Sequence, residues 1–142
     1  MTLEERLERL ENYLGIDDEP EILTVIDPDT GLEWERYGSV NKVNWVDTFD
    51  YRTSLNQMNF AGHSDWRIPS RFELESLLNL DEFNPCIKNI PDIQHFSDIY
   101  WSSTAYVSIT GFVWTVNFYN GGVGGDSTIN SFYVRLVRGG KG

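Results

Sequence analysis

The sequence predicts an α+β domain, and three observations carry the prediction. Strand-like alternation occurs near both ends, two helical patterns lie between them, and aromatic residues are plentiful enough for a buried core. With 142 residues, 40% of them hydrophobic and 14% aromatic, the chain has material for one globular unit. The strands at the two ends are expected to pair with each other around the helical middle.

The first segment places Leu3, Leu7, Leu10 and Leu14 at alternating spacings of four and three, filled by Glu and Arg. That is a heptad seam, so a short amphipathic helix is expected at residues 1–19, ahead of a domain at 21–142. The seam is too short to be a stable helix alone and must lie on something. It serves either as an oligomerisation coil through residues 3–14 or as a helix packed on its own domain. Gly15 is a helix stop, and "IDDEPE" reads as an acidic linker ending near Pro20.

From Glu21 the pattern becomes strand, turn at Asp27-Pro28-Asp29-Thr30-Gly31, and strand with Leu32, Trp34 and Tyr37. The turn lacks the further carboxylates and closing Glu of a calcium loop, so a plain Asp-Gly-type turn is the better reading. Asn44 and Asp47 mark a helix start, followed by Trp45, Phe49, Leu55 and Met58 at roughly helical spacing. Ser70 and Glu73 form a capping box before a second helix, whose Phe72, Leu74, Leu77, Leu78 and Leu80 make a broad apolar face. "DEFNPCIKNIPDIQHFSDI" has no sustained period and reads as an ordered loop pinned by Phe83, Ile87, Ile90, Ile93 and Phe96.

Charge narrows the function. Eleven basic residues against 22 acidic ones give a net charge of −11, which repels phosphate backbones and sulfated polysaccharides, so nucleic acid is not an expected partner. No stretch of about 18 apolar residues is present to cross a bilayer. "MTLEERLERLENYLGI" is charged throughout and does not read as a signal peptide, which leaves a virion-associated or a cytoplasmic location open. Cys86 is the only cysteine and can close neither an intrachain disulfide nor a zinc site.

The C-terminal third differs in kind. After "YWSST" opens a strand, "VWTVNFY" alternates with period two, Trp114, Val116 and Phe118 facing a core and Val113, Thr115, Asn117 and Tyr119 facing away. "YVRLVRGG" closes with Tyr133, Arg135 and Val137 alternating against Val134 and Leu136. Between these strands lies a glycine-rich polar run that reads as a loop supplying no core. From Ser102 through Gly140 there is no Lys, Glu, Gln or Met, and Trp114 is the sole Trp. Apart from that Trp, the types that do occur are all reachable by codons ending in a pyrimidine, the alphabet obtained when the adenines of AAC-type asparagine codons are randomised.

"DPDTGLEW", "DWRIPSRFELESLL", "YWSST", "VWTVNF" before "NGG", and "YVRLVRGG" together resemble C-type-lectin-like domains akin to formylglycine-generating enzyme. The nearest branch is the one shared by bacterial collagen-like surface proteins and the variable proteins of diversity-generating retroelements. The resemblance runs in order from about Thr24 to Gly140. It implies a C-type lectin-like fold with two helices and a small, mostly antiparallel sheet. It also implies a phage- or virus-carried binding protein whose C-terminal end is rewritten by mutagenic retrohoming, with a protein or glycan on a cell surface as ligand.

On that resemblance Trp101, Ser102, Trp114, Val116, Phe118, Gly121, Val123, Tyr133, Val134 and Arg135 would be scaffold. The residues for display would be Tyr106, Val107, Ser108, Ile109, Thr110, Phe112, Thr115, Tyr119, Asp126, Ser127, Thr128, Asn130 and Phe132. Tyr and Phe give contact area at low rotamer cost while Ser, Thr, Asn and Asp adapt their hydrogen bonds. The opposing possibility is that 106–112 is a plain hairpin turn with its apolar members packed inward. The oxidase relatives use a cysteine pair that this chain lacks, and His63 and His95 belong to no catalytic pattern, so no enzyme activity and no cofactor are expected. Asp65 and Arg67 read as an internal salt bridge. No contiguous calcium ligand set is visible. A carbohydrate-specific lectin and a trimerising tip of a fibre or surface protein are the alternative functions.

Overall fold

The computed structural model describes residues 2–7, 21–94 and 97–140. Its strands form two three-stranded antiparallel sheets, joined through α1 (Trp45–Gln57) and α2 (Arg71–Glu75). One sheet has the order β1 (Thr24–Ile26), β2 (Leu32–Glu35), β6 (Val137–Gly139). The other runs β3 (Ile99–Ala105), β4 (Phe112–Asn117), β5 (Val123–Ser127). The ends of the chain therefore do pair: Leu32 lies opposite Gly139 and Trp34 opposite Val137.

Local chemistry sets most element boundaries. The β1–β2 turn closes because the Asp27 carbonyl accepts from Thr30 and Gly31 N–H and the Asp27 carboxylate from Asp29 N–H, with Gly31 at φ 72°. Asn44 caps α1, its side chain accepting from Asp47 N–H. At α2 both halves of the capping box are present, Ser70 Oγ accepting from Glu73 N–H and Glu73 Oε1 from Ser70 N–H.

The second helix is shorter than its pattern suggests. After Glu75 the chain turns away to pair with 86–88: the Leu77 carbonyl accepts from Lys88 N–H, and Leu78 bridges Ile87. Tertiary pairing outweighs the helical periodicity. Leu74 and Leu77 are fully buried, but Phe72 and Leu80 are about three-quarters exposed, so the five apolar residues do not make one face. In the loop that follows, Ile90 is buried and Ile87 and Ile93 pack on the core, whereas Phe83 is exposed instead of acting as a pin. Phe96 and His95 lie outside the described residues, as do Leu10, Leu14, Gly15 and the acidic linker.

Two apolar clusters hold the molecule. One joins the sheets through Trp34, Val137, Tyr100, Val116 and Phe118, with Leu74 and Leu77 from the α2 region; the other gathers Leu55, Phe60, Trp66 and Ile68. The run 134–137 threads between them, with Val134 and Leu136 in the second cluster and Val137 in the first. Alternation thus survives, but with both sides buried. Between the clusters lies the fully buried Arg135, whose guanidinium donates to the carbonyls of Glu35, Arg36 (2.7 Å), Tyr37 (3.1 Å) and Gln94. A buried cation held by converging carbonyls ties the C-terminal segment to 35–37 and 94.

At the N-terminus, Leu3 packs on the second cluster, Arg6 stacks over Tyr37 at 4.3 Å, and Arg6 pairs with Glu21 at 3.5 Å. The start of the leucine seam is therefore in contact with its own domain.

Candidate functional site

The β3–β4 turn is built by its own backbone. Tyr106 N–H donates to the Phe112 carbonyl, Ile109 N–H to Tyr106, Phe112 N–H to Ile109, and Thr128 N–H to Gly111. None of these bonds uses a side chain. Val107 is 94% exposed, Ile109 is 47% exposed, and Ser108 and Thr110 also face solvent. Val107 and Ile109 therefore do not pack inward.

Tyr106 and Phe112, at the base of the turn, are half-buried. The Tyr106 ring stands edge-on to Trp114, 4.7 Å between centroids, and lies so close over Gly125 that a Cβ there would come within 2.5 Å of the ring. Only glycine admits this contact. Trp114, expected as core, is half-buried and carries the Arg71 guanidinium 3.8 Å above its ring. Arg71 also faces Phe72 at 4.9 Å and pairs with Glu75 at 3.1 Å. Helix α2 therefore contributes Arg71 and Phe72 to the same surface as Tyr106, a proximity with no signal in the sequence.

The glycine-rich run is not a loop. Its central part is β5, paired with β4 from Val123 opposite Val116 to Ser127 opposite Phe112. The strand escapes sequence reading because backbone amides, not side chains, make its ladder. Ser127 at its end and Thr128 just beyond are half-buried, Asn130 is exposed, and Ile129, absent from the expected display set, is 85% exposed. A lone isoleucine in "DSTINS" is the signal that could have found it.

Two expected display residues are placed otherwise. Thr115 is buried, its hydroxyl donating to the half-buried Asp126 carboxylate at 2.6 Å. Its face of the sheet, which it shares with Trp101, is covered: Trp101 packs on Phe132 at 4.9 Å and donates its Nε1–H to the Val43 carbonyl. Val113, on that face, is buried too, and Phe132 is half-buried. Tyr119 is exposed but lies past the far end of β4, edge-on to Phe83 at 4.9 Å. At roughly 3.3 Å per residue, β4 separates it from the 106–112 turn by about 20 Å. Residues 106–112 and 126–130 form one end of the molecule; Tyr119 belongs to the other.

The remaining polar candidates are structural in their contacts. Arg67 pairs with Glu73 and Asp65 with Arg138 (2.6 Å), so the expected Asp65–Arg67 bridge is replaced by two others. His63 Nε2 sits 3.9 Å from Glu33, and the buried Cys86 donates its S–H to the Glu82 carbonyl. Among the described residues, no three His, Cys, Asp or Glu side chains are grouped to hold a metal ion, and no helix is long and apolar enough to cross a membrane. A cavity of about 220 Å³ lies elsewhere, walled by Leu3, Leu55 and Phe60 and reaching Glu35 and Tyr51. Burial pushes the Glu35 carboxyl above its usual range despite the hydrogen bonds it accepts from Tyr51 and Leu136 N–H, and pushes the Tyr51 phenol well up.

Rigid paired strands that hold exposed turns at one end of an α+β core define a ligand-binding, recognition-type domain on a lectin-like scaffold. The family model described as the Lcl C-terminal domain matches residues 23–138, almost the whole span from β1 to β6. The chain belongs to the Lcl C-terminal domain family. Comparison with curated proteins found no match.

Proposed function

We propose that this chain is a receptor-recognition protein that acts by binding, not catalysis, and whose C-terminal surface is diversified by a retroelement to fit a protein or glycan on a cell surface. One observation carries the reading: the 106–112 turn is closed by main-chain hydrogen bonds, while Val107, Ser108, Ile109 and Thr110 point into solvent. Side chains there can change without removing a bond that holds the turn. The pyrimidine-ended codon alphabet over 102–140 supports the diversification part, and a cluster of exposed apolar residues is the usual mark of a binding surface.

Two experiments test the proposal. Binding of the full chain to host-surface protein extracts and to a glycan array is compared with that of a Val107→Asp/Ile109→Ser variant. Loss of binding at an unchanged thermal midpoint is expected; undiminished binding overturns the recognition surface. Separately, the neighbouring DNA should hold a near-copy of the coding region for residues 103–137 that differs at adenines, beside a reverse transcriptase. Its absence removes the diversification while leaving the binding reading intact.

A further inference from the structure

We infer that the ligand is held as an added β-strand: an extended, neutral-to-basic segment of another protein that pairs along the free edge of β5. The inference rests on the recognition reading above and gives it a ligand class.

Strand β5 is an outer strand, bonded to β4 on one side only. In an antiparallel pair, successive residues alternate between bonding the partner and pointing away. Asn117 N–H donates to the Gly122 carbonyl and Thr128 N–H to Gly111, which fixes the phase: Gly122, Gly124, Asp126 and Thr128 turn toward β4. Val123 and Gly125 turn outward. Among the described residues, nothing pairs with their outward N–H and carbonyl groups.

Natural edge strands are blunted by lysine, proline, bulges or inward charges. The strand "VGGDS" has neither lysine nor proline; its one charge, the half-buried Asp126, lies on the Thr115 face, where the Thr115 hydroxyl partners it, and leaves Val123 and Gly125 unblunted. Strand addition would give affinity through main-chain bonds, and side chains of the added strand would give specificity. Those on one face would meet Tyr106, whose ring covers Gly125 next to Trp114 and Arg71. A changeable Tyr106 would then tune which sequence is accepted. With a net charge of −11 the chain opposes pairing with a second copy of itself and favours a neutral or basic segment.

The test is panning of a phage-displayed library of short linear peptides on the full chain, followed by resynthesis of the enriched peptides. The Val123→Pro variant deletes one outward N–H at an edge position where proline is tolerated. We expect it to bind those peptides about tenfold more weakly, the worth of one main-chain hydrogen bond; Val123 also packs on the first cluster, so the variant's folding is checked by its thermal midpoint. N-methylation of the peptides at every second residue should abolish binding, while methylation at the intervening residues should not; this arm is independent of folding of the variant. Failure to enrich any linear peptide, or indifference to methylation, overturns strand addition. So does a concentration-dependent dimer that Val123→Pro abolishes. If extract or array binding still depends on Val107 and Ile109 when the peptides fail, the recognition surface stands and only its mode of engagement falls.

Discussion

The segment 134–137 and the turn 106–112 are both fixed in place, but by opposite means. Around Arg135 the side chain makes the structure: one guanidinium serves four carbonyls from two distant stretches of chain, with apolar clusters on either side. At the turn the backbone makes the structure, and the side chains at 107–110 are left over. A position is open to variation when the bonds that hold it belong to atoms every residue has. Exposure follows from that arrangement; it does not cause it.

The comparison can be broken most decisively at Arg135. Replacing the buried Arg135 by Met leaves four carbonyls without the donor that ties them together and should cost about 3–5 kcal/mol, read as a lower urea midpoint at unchanged m-value. A loss below about 1 kcal/mol would mean that the side chain is not what holds this segment. Thr115 is the next test, because it was expected on the display surface and sits under it. Thr115→Val should cost about 1–3 kcal/mol by leaving the Asp126 carboxylate without its hydroxyl partner, whereas a displayed threonine would tolerate the change.

A smaller effect depends on pH. Burial raises the folded-state value of Glu35 above the ordinary 4.5, so the folded protein binds this proton more tightly than the unfolded chain. The carboxyl therefore contributes most below about pH 4.5, and its contribution falls as pH rises through the folded value, by at most about 1.4 kcal/mol per pH unit. Glu35→Gln removes that slope, so stability curves of the two proteins should diverge on going from pH 4 upward, the wild type falling relative to the variant. Parallel curves would show that Glu35 titrates as it would in water. The smallest effect is expected where the turn is freest: Val107→Ser should change stability by no more than about 0.5 kcal/mol in either direction, measured by thermal denaturation.

Legibility in the sequence followed the range of the interaction. The Asp27–Gly31 turn, the Asn44 cap and the Ser70/Glu73 box could be read because each closes within a few residues. The pairing of the terminal strands was legible from alternation at both ends. The end of α2 was not, since the competing bonds come from Lys88 and Ile87. Nor was β5, whose glycines offer no side-chain pattern although the strand runs in register with β4 along its whole length. The candidate site divides the same way. Exposure at 107–110 was anticipated, but the burial of Thr115, the distance to Tyr119 and the presence of Arg71 and Phe72 depend on segments remote in sequence.

By itself the sequence determined the α+β class, the caps, the first turn and the acidic character of the chain, because these depend on neighbouring residues or on composition. Only the tertiary structure decided which face of β4 is covered, where the helical pattern yields to pairing, and that a run of glycines is a strand with an open edge. Those outcomes are set by which distant backbone groups find each other, and a hydrogen bond between main chains leaves no mark on the residues that make it.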